Sequence, residues 1–158
     1  MPMMIEGIEG LKKVAGQSLG KSRWLEVSQD RINRFADVTE DWNWVHLDEE
    51  KAKNSPFKGT IAHGFLTMSL IIPLVHDIYQ LEGIGMGLNY GFNRLRFVEA
   101  VPAGSKVRLD LTLRHVQDAG EGVQLTWDCI IECDRMPKPV IVAEWLVRFY
   151  PSPDSRLS

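Results

Sequence analysis

Apolar and polar residues alternate in three rows in the second half of the chain. Residues 107–113, 123–131 and 141–149 place a hydrophobic side chain at every second position, with mostly polar residues between them. Successive side chains of a strand point to opposite faces, so this pattern is typical of strands with one buried and one solvated face. The pattern predicts an antiparallel sheet, with a turn at residues 118–122 and a fourth strand over residues 90–98.

The first half of the chain carries the signals of a short strand and two helices. Residues 22–27 are consistent with a strand, and Ser28 is a good N-cap for a helix that fades near Thr39. Asp48 predicts the start of a second, shorter helix, which Asn54 and the following proline end. Strands that follow helices in this order indicate an α+β domain.

Residues 61–80 connect these halves and begin as an almost wholly apolar segment. A helix that is hydrophobic on all sides is a buried helix. Pro73 lacks a backbone donor and presses on the carbonyl of Ser69, so a kink or break is expected there. Three glycines between residues 83 and 87 predict a loop. The simplest architecture is a curved antiparallel sheet wrapped around the helix of residues 61–80.

Composition limits the possible functions. The chain has 158 residues, which suggests one domain, and its net charge of -3 argues against a nucleic-acid-binding protein. Glu6 and Glu9 stand where a signal peptide would be basic, and no apolar run is long enough to span a membrane. We therefore expect a cytoplasmic protein. Cys129 and Cys133 lie roughly 13 Å apart along one strand, which is beyond disulfide reach.

Asp41 and His46 are the first candidates for chemistry. An acid and a histidine five residues apart are common by chance, and both could simply make local hydrogen bonds. Trp42 and Trp44 change that balance, because two tryptophans on an otherwise polar segment can line a partly dry pocket. Such a pocket can shift the pKa of a carboxyl group towards its working range, and a histidine titrates near neutrality without help.

Gly64 follows His63 at the predicted start of the buried helix. Free N–H groups at a helix start can stabilise an oxyanion, typically by about 3 kcal/mol. Alternatively, the glycine only allows close packing of helix on sheet, and both roles are compatible. His63 and His76 raise the question of a metal site. No two of the candidate ligands have the spacing that places both on one helix face, so no metal site is predicted. A serine hydrolase is not predicted either.

A polar cluster begins the fourth predicted strand. Arg94 and Arg96 point to the same face because they are two residues apart. They can pair with acids such as Glu99, or they can bind the phosphates of a substrate together with Tyr90 and Asn93. Ion pairing is the more common role of such residues.

Two motifs identify a family resemblance. Residues 41–48 (DWNWVHLD) and 59–66 (GTIAHGFL) resemble those of MaoC-like (R)-specific enoyl-CoA hydratases. Residues 89–97 and 143–150 are similar to the NodN-like branch of that family. The resemblance covers about residues 20–150, the core of a single domain over 1–158.

The resemblance implies a hot-dog fold, a homodimer and a lyase of fatty-acid-type metabolism that adds water to trans-2-enoyl-CoA, giving (R)-3-hydroxyacyl-CoA. No metal or redox cofactor is implied, since coenzyme A is part of the substrate, and neither nucleic acid nor membrane is an expected partner. The implied catalytic residues are Asp41 and His46, with Asn43 orienting them and the Gly64 N–H binding the thioester oxygen. The residues expected to contact the substrate are Trp42, Trp44, His63, Phe65, Tyr90, Asn93 and Arg96.

The chain departs from the family pattern at two positions. Trp44 stands where many relatives have proline, and Ile72 stands where the best-known hydratases have a serine that helps position the catalytic pair. Either another hydroxyl such as Ser69 replaces that serine or the site is tuned differently. Two alternative functions therefore stay open: a hot-dog acyl-CoA thioesterase and a non-catalytic acyl-thioester binding protein.

Overall fold

The computed structural model describes residues 1–152, which form a large antiparallel sheet packed on a group of helices. The strands are β1 (Met3–Glu6), β2 (Ser18–Lys21), β3 (Leu25–Glu26), β4 (Tyr79–Glu82), β5 (Ile84–Phe97), β6 (Lys106–Ala119), β7 (Gly122–Cys133) and β8 (Ile141–Pro151). The helices are α1 (Gly7–Lys13), α2 (Gln29–Thr39), α3 (Trp44–Leu47), α4 (Glu49–Lys53), α5 (Gly64–Ser69) and α6 (Ile71–Val75). The sheet has the order β2-β6-β7-β8-β5, and β3 also pairs with β6.

The three alternating rows are strands β6, β7 and β8, as predicted. Leu111 of β6 lies opposite Cys129 of β7, and both side chains are fully buried, whereas Asp110 beside them is partly exposed. The turn predicted at residues 118–122 joins β6 to β7, with Ala119 paired with Gly122. One face of the sheet therefore supplies half of the hydrophobic core, and the other face meets solvent.

The buried helix is shorter than predicted and is divided. It starts at Gly64 instead of residue 61, because Ile61 forms an isolated bridge with Pro102. The expected break occurs at Leu70, between α5 and α6. Pro73 lacks the backbone N–H that would bond to the carbonyl of Ser69 in a continuous helix. After Val75 the chain turns and forms β4, so the prediction of helix to residue 80 is wrong. An apolar run alone does not distinguish a helix from a buried strand.

Two features near the ends of the helices were not predicted. Strand β1 pairs in parallel with β4, and helix α1 buries Leu11 in the main core. Gly83 forms a bend between β4 and β5, but Gly85 and Gly87 lie within β5, which begins at Ile84 and pairs with β8, so the predicted loop is much shorter than expected. A side chain at Gly87 would collide with the ring of Phe149, so this glycine permits close strand packing.

The predicted helices before the buried segment are confirmed. Ser28 caps α2 by accepting a hydrogen bond from the Arg31 N–H, and Asp48 caps α4 by accepting one from the Lys51 N–H. These caps fix the two ends of the segment that contains Asp41 and His46. Within residues 1–152, no helix is long and apolar enough to cross a membrane.

We predict that Leu74→Ala lowers the free energy of unfolding by about 2–5 kcal/mol, because Leu74 is fully buried in the core. Ile72→Ala on the same helix is the matched control: Ile72 is 40% exposed, and its truncation should cost at most about 1 kcal/mol. Equilibrium denaturation of both variants measures the difference. Equal losses of stability would contradict the placement of α6 against the sheet.

Candidate active site

A short connection between α2 and α3 places Asp41. Helix α2 ends at Thr39, and Glu40 adopts a left-handed conformation (φ 59°) that redirects the chain. The carboxylate of Asp41 accepts a hydrogen bond from the N–H of Asn43 at 3.4 Å. The side-chain oxygen of Asn43 in turn caps α3 by accepting from the Val45 N–H at 3.3 Å. Asn43 therefore stands between Asp41 and the helix that carries His46.

The ring of His46 is held in one tautomer. Its Nδ1 atom lies 2.7 Å from the carbonyl oxygen of Ile61, and a carbonyl can only accept, so Nδ1 carries the proton. The Nε2 atom is left with a lone pair that can accept a proton. Burial lowers the pKa of His46 below its usual 6.5, whereas the bond to Ile61 and the charge of Asp41 act in the opposite direction. The neutral, proton-accepting form is therefore favoured.

The side chain of Gln29 binds the backbone of His46. The side-chain amide of Gln29 donates to the carbonyl oxygen of His46 at 2.8 Å, and its oxygen accepts from the hydroxyl of Thr60 at 2.6 Å. Helix α2 is thus tied both to α3 and to the segment that holds Ile61. Sequence analysis did not single out Gln29, because its partners are 17 and 31 residues away along the chain.

His63 lies beneath the catalytic candidates and is only 2% exposed. Its Nε2 atom is 3.0 Å from the backbone oxygen of Asp41 and 4.0 Å from the Asp41 carboxylate. The ring stacks on that of His46, with centroids 3.8 Å apart and planes 27° apart. Phe35 packs against it at 4.9 Å.

The acid and the imidazoles converge. One carboxylate oxygen of Asp41, one ring nitrogen of His46 and one of His63 all lie within 4.8 Å of one another. A water that makes two hydrogen bonds of about 2.8 Å can bridge groups this far apart. The three residues come from a loop, from α3 and from the cap of α5, so the spacing rule used for the sequence could not detect their proximity. The expectation that the site holds no metal stays a prediction.

A cavity of about 580 Å³ opens beside this cluster. Asp41, His46 and Gly64 line this cavity, and most of its wall is apolar. Its apolar lining includes Phe57, Phe65, Phe97, Val101 and Ile141. Such a cavity accommodates a hydrophobic chain next to a few polar groups.

Gly64 is the first residue of α5 and lines the cavity. A Cβ atom at this position would lie 3.0 Å from the ring of Phe97, so glycine lets that ring approach. Phe65 contacts the same ring edge-on, with centroids 5.7 Å apart. The packing role proposed for Gly64 is therefore present, and its N–H stands at the start of a helix, where amides lack an intrahelical partner.

The other predicted substrate-binding residues lie outside this cavity. Trp42 is 57% exposed and donates its indole N–H to Asp37, and the ring of Trp44 lies under the ammonium group of Lys51 at 4.5 Å. Tyr90, Asn93 and Arg96 all lie on the edge strand β5 and are exposed. The guanidinium carbon of Arg148 lies over the ring of Tyr90, 3.7 Å from the ring centroid.

The ion pairing expected for the arginines is confirmed for Arg94, which contacts Glu144 at 3.3 Å. Glu99 instead lies on the wall of the cavity, where sequence analysis did not expect it.

The hydroxyl near the cavity belongs to Thr67. Ile72 lies on α6 in a separate groove with His76 and Tyr79, and the hydroxyl of Ser69 is bonded to the carbonyl of Phe65 at 2.7 Å. Thr67 lines the cavity, is buried, and lies 3.4 Å from the carbonyl of His63. The hydroxyl of Thr67 therefore bonds back to the preceding turn, as threonine hydroxyls in helices commonly do.

We predict that NMR titration of the folded protein gives His46 a pKa below 6.5, because burial disfavours its charged form. Asp41→Asn should lower this pKa further, since the carboxylate stabilises the protonated ring. The protein unfolded in urea provides the reference, near the ordinary histidine value of about 6.5. A folded-state midpoint equal to or above that reference would contradict the description of the site.

Comparisons with known proteins show which family the chain belongs to. The model of the family described as "MaoC like domain" matches residues 11–128. The 3-hydroxyacyl-thioester dehydratase Z of Mycobacterium tuberculosis is 42% identical over 145 residues, which cover 91% of this chain and 96% of that protein. Nodulation protein N of Rhizobium leguminosarum bv. viciae is 39% identical over 144 residues, 89% of each chain.

A solved structure confirms the fold. The R-hydratase PhaJ1 of Pseudomonas aeruginosa, in its unliganded form, superimposes with a TM-score of 0.67 at 24% identity, over 87% of this chain and 83% of that chain. The predicted α+β hot-dog architecture, a helix wrapped by a curved antiparallel sheet, is therefore correct. The chain belongs to the MaoC-like domain family, and its relatives include the NodN-type proteins that residues 89–97 and 143–150 resemble.

Proposed function

We propose that this protein is an (R)-specific enoyl-CoA hydratase, a hydro-lyase that adds water to trans-2-enoyl-CoA and forms (R)-3-hydroxyacyl-CoA. The observation that carries the proposal is the convergence of Asp41 and His46, with side-chain atoms within 4.8 Å of each other, on the wall of a mostly apolar cavity. Hydration of an enoyl thioester needs a water held by a proton acceptor next to a site for an apolar chain. His46 can supply the proton acceptor, and the cavity beside it can hold the apolar chain.

The relatives support this reaction class. One is named a 3-hydroxyacyl-thioester dehydratase, and another is named an R-hydratase. Hydration and dehydration are the two directions of one reaction, so a single arrangement of residues serves both. The R configuration of the product is proposed by analogy with the R-hydratase.

In the proposed mechanism, one water lies between Asp41 and His46. The Nε2 atom of His46 takes one proton, because Nδ1 is already occupied by its bond to Ile61. The carboxylate of Asp41 accepts a hydrogen bond from the other O–H and stabilises the imidazolium that forms. The water oxygen attacks Cβ of the enoyl group, and the imidazolium returns its proton to Cα from the same side. Such acid–base catalysis contributes about 10²- to 10⁴-fold.

Negative charge gathers on the thioester oxygen while the C–O bond forms. The Gly64 N–H, at the start of α5 and on the cavity wall, is the proposed donor to this oxygen. A single donor of this kind typically lowers the barrier by about 3 kcal/mol. Asn43 keeps the pair in position through its bonds to Asp41 and to the start of α3.

The acyl chain is proposed to lie against the aromatic wall of the cavity. Phe65 and Phe97 are respectively 62% and 47% exposed beside it, which is costly unless a ligand covers them. Coenzyme A enters as part of the substrate, and the steps above use only side chains and backbone of this chain.

We also propose a homodimer joined along β5. This strand pairs with β8 on one side, and no other described strand covers its second edge. Met86, Leu88 and Tyr90 are exposed along it, and a groove of about 770 Å³ lies between the same strand and α6. A long, exposed apolar edge strand favours pairing with another chain.

A reducing compartment such as the cytoplasm suits the two thiols. Cys129 and Cys133 are both buried and free. Burial raises the pKa of the Cys129 thiol well above its usual range, which keeps it protonated and unreactive.

We predict that Asp41→Asn and His46→Gln each reduce the rate of enoyl-CoA hydration by at least about 10²-fold, because each removes one contact to the reacting water. Loss of the conjugated enoyl-thioester absorbance measures the rate, and chiral analysis identifies the product. Asp30→Asn and His76→Gln are the controls, since both residues are exposed and lie outside the cavity. They should keep full activity.

Other outcomes of the same assay separate the alternatives. Full activity in both cavity variants would refute the mechanism. Release of free thiol from a saturated acyl-CoA would identify a thioesterase instead. Tight binding of acyl-CoA without turnover of enoyl chains of any length would identify a binding protein.

For the dimer, light scattering should give the mass of two chains. Leu88→Glu places like charges at the proposed contact and should shift the protein towards the monomer, most clearly at low concentration. Val38→Glu, at a position 80% exposed on α2, should leave the mass unchanged. A wild-type mass of one chain would contradict the proposal.

A further inference from the structure

We propose that His63 is a positioning residue that holds Asp41 and His46 at the separation needed to share one water. This inference rests on the proposed hydratase function and extends it to a residue that does not itself touch the reacting atoms. It is carried by two contacts of one buried ring and by the shielded, unpartnered state of its Nδ1 atom.

The first contact fixes the backbone of Asp41. The Nε2 atom of His63 is 3.0 Å from the Asp41 carbonyl oxygen, which can only accept, so His63 donates this hydrogen bond. Asp41 lies in a connection without regular structure, and its side chain is 51% exposed. A bond from a residue that is only 2% exposed therefore anchors the one catalytic candidate that has little packing of its own.

The second contact supports the ring of His46. The two imidazoles stack at 3.8 Å, which limits the tilt of the His46 ring. The bond from Nδ1 to Ile61 fixes one point of that ring, and a single hydrogen bond still allows rotation about its own axis. The stack removes this freedom, so the direction of the Nε2 lone pair is determined by both contacts together.

The third observation excludes a direct role for His63. Its Nδ1 atom is shielded from solvent and has no hydrogen-bond partner within the described part of the chain. A substrate or water in the cavity cannot reach this atom in the present conformation. With Nε2 committed to Asp41, neither nitrogen is available to the reacting groups, although the ring forms part of the cavity wall.

The groups around His46 also set its pKa, and His63 is one of them. The groups that contact or lie close to His46 are His63, Asp41 and the Ile61 carbonyl at Nδ1, and Glu99 lines the same cavity. Burial lowers the pKa of His46 most, and His63 lowers it further, whereas Asp41 and the Ile61 carbonyl raise it. Removal of His63 together with some of the packing around the ring should therefore raise the pKa of His46.

Three substitutions separate the two contacts. His63→Phe keeps a ring for the stack but removes the donor to Asp41. His63→Gln keeps a donor near the position of Nε2 but removes the ring. His63→Leu removes both. His76→Gln is the matched control, because it removes an exposed histidine outside the cavity.

We expect kcat for enoyl-CoA hydration to fall about 10- to 100-fold in His63→Leu, the loss typical when a supporting residue of a site is removed. The Phe and Gln variants should each recover part of this loss, and KM should change little. In His63→Gln the acid limb of the kcat/KM profile should move to higher pH. Denaturation curves establish that the variants are folded, and if His63→Leu is not, the Phe and Gln variants carry the test.

NMR titration of the His46 ring provides a readout that needs no turnover. Its pKa should be higher in His63→Gln than in the wild type and unchanged in His76→Gln. Wild-type kcat in the folded Phe and Gln variants, or an unchanged His46 titration in His63→Gln, would overturn the proposal. If the wild-type protein hydrates no enoyl thioester, the proposed function fails, and the titration alone decides the role of His63.

Discussion

The hydrogen bond from Nδ1 of His46 to the carbonyl oxygen of Ile61 is the contact on which the site depends. It assigns the proton to one nitrogen and leaves the other with a lone pair directed away from the carbonyl. The bond forms because Ile61 is not helical. The start of the buried helix is delayed to Gly64, and the preceding residues run alongside Pro102 as extended chain. The shortened helix and the oriented imidazole therefore have one origin.

The fold supplies this contact by bringing two separate segments to one end of the buried helix. Helix α2 reaches it through Gln29, which binds the His46 carbonyl, and through Phe35, which packs on His63. The connection between β5 and β6 reaches it through Val101, whose carbonyl accepts from the Ala62 N–H at 2.8 Å. Because these contacts come from a helix and from a connection between two strands, the geometry of the site depends on how both pack against the buried helix.

The sequence was sufficient for the elements whose signals are local. The alternating rows predicted β6 to β8, and the Ser28 and Asp48 caps predicted the helices that flank the site. The sequence also placed Asp41 and His46 together, because one loop and one helical turn separate them. It did not indicate Gln29, or the contact of His63 with Asp41, since these depend on pairings 17 to 31 residues apart.

The two catalytic candidates, Asp41 and His46, differ in their exposure to solvent. His46 is half-buried and loses part of its hydration, which favours its neutral form, whereas the side chain of Asp41 is 51% exposed. An exposed carboxylate is screened by water and orients a bound water weakly. Arrival of an acyl chain along Phe65 and Phe97 would exclude that solvent and strengthen the interaction of Asp41 with both the bound water and the imidazolium. Binding of the apolar part of the substrate would then strengthen the interactions that Asp41 makes in the site. Short acyl chains would strengthen them less than chains long enough to cover both rings.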